Sequence, residues 1–427
     1  MQNDNSPWAF LSRPQCGLSR SPGAVQRAAE NRSVQGIQRM LWTRRECMQL
    51  LMSAGCAAAI QAGDATPARA EGEWEITPDS EQALTRGLDW LARTQGPEGN
   101  WDSNDLGLVG MGMLAFLSAG HIPGRGKYGV AVQKALDYVL KNAKPSGLLN
   151  IANAQRDMYN HGLAAFVLGQ AHGMANDPRI SPVLDRALKL IAFTQCGDGG
   201  WDYQARRQEH GHDLSLAVMQ AKALRSAVDS GLEVSPEVID LAIKSVREHY
   251  RSASGKRGVD DPSAQQEPGQ FTYDGNRGTT AMAACGVVCM QEFGQYEDWR
   301  IPKNMDVIRT EVLRIDKKNH NGQLPLDAYT LYYVGQALYQ VGGPDWQDLY
   351  PKLRDALIES QSLDENNPMV LGSWQDTKHV GGKPGQLYAT SVGCFVLSMP
   401  NRYLPILQEG KIDSLRSRYQ AAEKKSP

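Results

Sequence analysis

The chain runs to 427 residues with a formal net charge of −2. That charge gives no electrostatic footprint for nucleic acid, and no apolar run reaches the ~18 residues of a membrane span. The length exceeds one ordinary core, so two domains or one closed ring of repeats is expected.

The N-terminus comes first. Residues 1–45 hold seven arginines and no lysine. Thr43-Arg44-Arg45-Glu46-Cys47-Met48-Gln49 then leads into the mostly apolar stretch Leu50–Ile60, and Ala68-Arg69-Ala70 offers small residues where a signal peptidase reads. A basic region, an apolar region and a small-x-small site make an export signal. The paired arginines resemble a twin-arginine signal, which exports folded proteins. The expected layout is therefore a signal region and disordered N-terminus over 1–70, a folded body over 71–405 and a charged tail over 406–427. Localisation is expected to be periplasmic or extracellular. Cys56 after Ala54-Gly55 is a weak match to a lipid-anchor site, and translation starting at Met40 would shorten the signal. Cys196, Cys285, Cys289 and Cys394 remain in the folded body, with no disulfide framework in their spacing. Cys285 and Cys289, in a helical stretch, read as small core residues.

The body is built on a repeat. Arg86–Trp101 and Arg186–Trp201 share a sixteen-residue pattern: basic residue, small residue, two apolar positions, Gln, Gly and Trp at equal spacings. Weaker copies start near 134, 241, 307 and 354, giving six units of roughly fifty residues, and such periodicity signals a repeat architecture. Each unit opens on an amphipathic helix, with apolar residues such as Leu84, Leu88 and Leu91 on one face. The Gly suits the left-handed turn that stops a helix, and the Trp can pack back over the helix end. The second helix of each pair is expected at Leu106–Ala119, Met158–Met174, Leu214–Val228, Thr279–Phe293, Ala328–Val341 and Leu387–Met399. These are apolar on several faces, the mark of a buried helix. They should form an inner layer, with the first helices outside. No extra cap is evident after Met399, so closure into a ring is favoured over an open solenoid, which needs polar caps.

The patterns at 86–101 and 186–201 resemble the Gln-Trp repeat of squalene and oxidosqualene cyclases. Related protein prenyltransferase beta subunits share the architecture. Asp157-Met158-Tyr159-Asn160-His161-Gly162 and Leu387-Tyr388-Ala389-Thr390 fit the exported "prenyltransferase and squalene oxidase repeat" proteins of planctomycete-type bacteria. The resemblance covers roughly 80–405. It implies an all-α fold, an α/α toroid of six inner and six outer helices around a central cavity. Fold does not carry activity with it.

The catalytic equipment of those families is missing. Cyclases protonate an alkene from an Asp-x-Asp-Asp motif, in which neighbouring carboxylates tune the acid. The nearest string here, Gly258-Val259-Asp260-Asp261, lacks the first Asp and lies in a polar linker. Prenyltransferases hold zinc with Asp, Cys and a distant His. Asp327 matches the Asp, but Tyr329 and Ala389 stand where Cys and His belong. No metal or other cofactor is therefore expected. The remaining polar residues open the inner helices: Asp157, Tyr159 and His161; His210, His212 and Asp213; Arg277, Thr279 and Thr280; Asp327. In a toroid these ends converge on one mouth. Asp157, His161, His212 and Asp213 are the catalytic candidates. Tyr159, Arg277, Asp327, Tyr332 and Tyr388 are the candidates for lining a cavity or ligand site. Capping and rim hydrogen bonding is the structural alternative, especially for Asp213 and Asp327. The expectation is an exported repeat protein that binds a small molecule, lipid, glycan or protein in its cavity or at its mouth. The alternative is an enzyme acting there on an isoprenoid or a polysaccharide.

Overall fold

The computed structural model describes residues 74–408 apart from 102, 260, 316–321 and 376–384. The chain divides into units Met1–Pro67 and Ala68–Pro427. The export signal, Cys56, Asp260 and the tail beyond 408 lie outside the described residues.

Twelve helices are described in the second unit, in alternating order: α1 (Pro78–Thr94), α2 (Leu106–Ser118), α3 (Gly129–Lys141), α4 (Asp157–Met174), α5 (Ile180–Thr194), α6 (Leu214–Asp229), α7 (Pro236–Glu248), α8 (Thr280–Glu292), α9 (Arg300–Arg314), α10 (Ala328–Val341), α11 (Gly343–Ser360) and α12 (Gln386–Ser398). A short antiparallel pair, β1 (Tyr250–Ser252) with β2 (Gly269–Phe271), sits between α7 and α8. The even-numbered helices are buried on nearly every face. The odd-numbered ones bury one stripe, such as Ala83, Leu84, Leu88 and Leu91 on α1. A helix that is apolar all round has no face to give to water, so it takes the inner layer. The second helices expected from sequence are the inner helices observed.

The repeat pattern works as a joint between neighbouring pairs. Gln195 Nε2 donates to Gly199 O at 3.0 Å and to Val238 O, in the next outer helix, at 2.9 Å. Gln95 does the same with Gly99 O and Ala131 O. The Trp folds back on its own helix: Trp101, Trp201 and Trp374 Nε1 donate to Leu91, Ile191 and Leu357 carbonyls at 2.8–2.9 Å. The last-turn carbonyls of Leu91, Ile191 and Leu357 thus gain a donor away from water. Between them Gly199 turns with φ of 89°, and a Cβ there would lie 2.1 Å from Leu241 O. Only glycine fits both the turn and that approach.

The last joint closes the ring. Gln361 Nε2 donates to Ala83 O on α1 and to Gly372 O, both at 2.8 Å. Trp90 Nε1 reaches Met369 O, and Ser398 on α12 bonds Ser118 on α2 at 2.6 Å. α12 packs on both α1 and α2. The described body is a closed α/α toroid.

Among the described residues, the central cavity implied by the resemblance is filled at the level of Lys222 and Tyr332. Side chains from five inner helices meet on the axis. Lys222 (α6) donates to Gln336 (α10). Its Nζ lies 4.1 Å from the Phe166 ring centroid (α4) and 3.9 Å from Glu292 (α8). Tyr332 (α10) packs on Phe395 (α12), with ring centroids 5.3 Å apart. Tyrosines at 329, 332 and 333, all buried, fill what a smaller residue set would leave hollow. The helix C-terminal end is covered as well. Pro405 packs on Gly173, Ile406 N donates to Gln170 Oε1 at 3.1 Å, and Tyr339 O–H donates to Leu407 O.

Candidate functional site

Four inner helices begin with a capping side chain at the same end of the ring. Asp105, Asp213, Thr279 and Asp327 each accept from backbone N–H groups of the first turn. This is the helix N-terminal preference for short oxygen-bearing side chains. The mouth is therefore polar by construction. Two loops rise over it. One runs from Trp201 to Asp213, far longer than its counterpart from Trp101 to Asp105. The other runs from Thr272 to Thr279. Their carbonyls tie down the helices they cover: Met158 N donates to Tyr203 O and Leu214 N to Tyr273 O.

Where the loops meet, hydroxyls gather on Asp213. Its Oδ1 accepts from the amides of Ser215 and Leu216 and from the Ser215 hydroxyl. Its Oδ2 accepts from the Tyr203 hydroxyl. Tyr203 and Tyr273 share a further hydrogen bond, as do Tyr159 and Ser215. Tyr159 stacks on Tyr203 with centroids 5.8 Å apart. Burial, then the bond to Asp213, pushes the Tyr203 hydroxyl well above the ordinary phenol range. Burial also raises the Tyr273 hydroxyl. Both remain proton donors at neutral pH.

Next to this knot is a histidine–carboxylate pair. His212 Nε2 lies 3.3 Å from Asp202 Oδ1, and its ring is 4.8 Å from that of Tyr203. The Asp202 side chain is 2% exposed and the His212 side chain 49%. Burial pushes the Asp202 carboxyl up, but the Arg206 guanidinium at 2.6 Å, the Gln204 amide and His212 outweigh it, and the net shift is down. Asp202 is thus a fixed anion beside a solvent-facing imidazole.

The sequence-derived candidates divide. His212, Asp213 and Tyr159 come together at the mouth. Asp157 ties the walls, accepting from Asn150 Nδ2 at 2.7 Å and Ala205 N at 3.4 Å. His161 does not reach solvent. Its Nδ1 accepts from Leu149 N and its Nε2 donates to Ala187 O, both at 3.1 Å, and burial pulls its pKa down to about 4. Its two nitrogens tie α4 to the loop that precedes it and to α5. Arg277 is exposed, bound to Asp274 and lying over the Tyr273 ring at 4.9 Å. Asp327 caps α10 through Thr330. Tyr332 and Tyr388 are buried. His210 is exposed, 3.7 Å from Asp198. Asp261 caps a surface turn through Ser263 N. Tyr203, Tyr273, Asp202 and Ser215 are not among the sequence-derived candidates; the signals available were the length of the loop after Trp201 and the Asp that follows the repeat's Trp at both 102 and 202. Among the described residues, no three His, Cys, Asp or Glu side chains are grouped to hold a metal ion. No described helix is long and apolar enough to cross a membrane.

No family model matches this chain, and no curated protein matches it in sequence. Solved structures do. The GH76A alpha-1,6-mannanase from Salegentibacter sp. HEL1_6 matches with a TM-score of 0.50 at 10% identity, covering 79% of this chain and 100% of that one. The GH76 alpha-mannanase of Bacteroides thetaiotaomicron matches with a TM-score of 0.50 at 11% identity, covering 77% and 97%. At such identities the likeness establishes the fold. This is an α/α toroid, as those two proteins are. Kinship to prenyltransferases finds no support in sequence matches.

Proposed function

We propose that the chain acts on a polysaccharide at this mouth, with His212 moving the proton and Asp202 orienting it. The observation that carries the reading is the His212–Asp202 pair set against the Tyr203 ring, whose hydroxyl bonds that of Tyr273. Aromatic faces stack on sugar rings, and a histidine held by a carboxylate is the commonest side-chain arrangement for general acid–base work near neutral pH. Asp213 is committed to four donors and serves as the anchor. The fold likeness to two α-mannanases supports a polysaccharide over an isoprenoid. So does the filled axis, which leaves an extended apolar chain no room at the level of Tyr332. The chain's repeat then links it to terpenoid cyclases through fold alone.

The test is reducing-end release from a panel of neutral and acidic polysaccharides. Wild type should turn over at least one of them. His212→Ala and Asp202→Asn should each lower kcat by roughly 100-fold or more, the usual weight of an acid–base group, while the helical circular dichroism stays unchanged. Full activity in both variants would remove the pair from the mechanism. Binding without turnover would favour a second reading, a glycan-binding toroid. The saturated carboxylate of Asp213 is the observation on that side.

Export through the twin-arginine-like region suits a polysaccharide substrate. A tagged chain carrying Arg44→Lys and Arg45→Lys should then stay in the cytoplasm on fractionation, whereas unchanged export would count against that signal.

A further inference from the structure

Away from the mouth, the loop between α8 and α9 forms a groove of about 550 Å³ with the last turn of α7. That size suits a small ligand. Its lining combines two aromatic residues with donors and acceptors of both charges: Arg247, Gln295, Tyr296, Glu297, Asp298 and Trp299, with Arg300 behind. The floor is rigid. Arg247 Nε donates to Asp298 Oδ2 at 3.0 Å and its Nη2 to Gln295 Oε1 at 2.9 Å. Arg300 Nη1 reaches both oxygens of the same carboxylate, and Arg300 lies over the Trp299 ring at 4.4 Å. Tyr250 meets that indole edge-on at 4.9 Å. The Trp299 ring is therefore held in place by Arg300 and Tyr250, whereas Tyr296 is 41% exposed.

The charges of the lining cancel: two guanidinium groups against Asp298 and the exposed Glu297. The groove has no bias toward an anion or a cation. What it offers is an aromatic wall, an exposed carboxylate that accepts, and the Arg247 Nη1, which has no acceptor among the described residues. The ligand chemistry that matches is a neutral ring with an apolar C–H face and several hydroxyls. We propose that this groove is a second, non-catalytic subsite for a neutral sugar ring, stacked on Tyr296 and Trp299 and hydrogen-bonded by Arg247 and Glu297. The choice of a sugar over other neutral polyols rests on the polysaccharide reading above. Such a subsite holds a polymer by a second point of contact, raising apparent affinity without touching the reaction.

The experiment is fluorine NMR of the full chain labelled with 5-fluorotryptophan. Trp299→Phe assigns the Trp299 resonance, and the probes are maltotetraose, cellotetraose and α-1,6-mannotetraose, with a galacturonate trimer as the acidic control. The Trp299 signal should shift saturably with at least one neutral probe, equally in wild type and in His212→Ala. In Tyr296→Ala/Glu297→Gln, which changes two exposed side chains, the shift should fall at least fivefold. The proposal is overturned by a Trp299 signal that ignores all three neutral probes, by a shift that survives the double substitution, or by a larger response to the galacturonate trimer. Turnover at the mouth is read separately, so loss of that reading and loss of this one have different signatures.

Discussion

Lys222 is a cation in the middle of the ring, 1% exposed, with Phe166 and Tyr332 against its ammonium and Glu292 3.9 Å away. Burial lowers its pKa to about 8, and Glu292 only partly opposes that. Burial also raises the Glu292 carboxyl, against the pull of Lys222 and Arg225. The consequence for stability has a definite sign. Below pH 8 the amine is charged in the folded and unfolded chain alike, and the fold bears the cost of burying it. Between pH 8 and 10.5 the folded amine loses its proton first, so the cost disappears as pH rises. Lys222→Met should therefore gain most over wild type at low pH. That advantage should shrink by about 3 kcal/mol from pH 7.5 to 10.5, at ~1.4 kcal/mol per pKa unit. Comparing the two chains cancels the buried thiols of Cys285 and Cys394, whose raised pKa values work the other way. Urea midpoints across that range read the difference. A gap that stays constant with pH would mean that Lys222 does not titrate as its surroundings dictate.

At the scale of the helix pair, stability rests on joints between repeats as much as on the core. Gly372 turns with φ of 85°, and a Cβ there would sit 2.5 Å from Arg86 O. Gly372→Ala would strain the turn and push apart the joint that closes the ring. It should cost more than 2 kcal/mol, beyond the ~1 kcal/mol of an ordinary left-handed Gly→Ala change. Gly126 also has a positive φ, of 73°, but open space around it, so Gly126→Ala is the control for the turn alone. Thermal unfolding of both decides; equal losses would show that the joint carries no load of its own. This element scale is also where sequence reading worked best. The Gln, Gly and Trp positions recur because each contacts backbone, which is the same in every repeat. The inner helices were legible from apolar residues on all faces, as in Leu106–Ser118. The mouth was not. Asp202 recurs in sequence as Asp102, each directly after the repeat's Trp, but Tyr203 and Tyr273 sit in loop stretches that the other repeats lack, so no spacing marks them. His161 looked available in sequence because a histidine at a helix start is a poor cap; its two backbone partners, Leu149 and Ala187, come from a loop and from another helix. The filled axis was equally hidden, since helical spacing shows that Tyr332 and Tyr333 are buried but not that they meet across a ring.

For the whole molecule, closure sets what the protein can offer a ligand. The joint between Gln361 and Ala83 makes the inner helices a complete ring. Lys222, Gln336 and Tyr332 fill its centre, and Pro405, Ile406 and Leu407 cover the other end. Among the described residues, access remains at the N-terminal ends of the inner helices, where the loops at 201–213 and 272–279 meet. A filled ring of this kind leaves its mouth, and not its axis, for a ligand, which is the geometry the polysaccharide proposal requires. The most direct check is hydrogen exchange of the full chain with and without α-1,6-mannotetraose, maltotetraose or cellotetraose. Protection is predicted in peptides spanning 201–213 and 272–279, together with the groove at 293–300, and none is predicted in 328–341 or 403–408. Protection appearing in 328–341 would place the ligand on the ring axis and contradict the account.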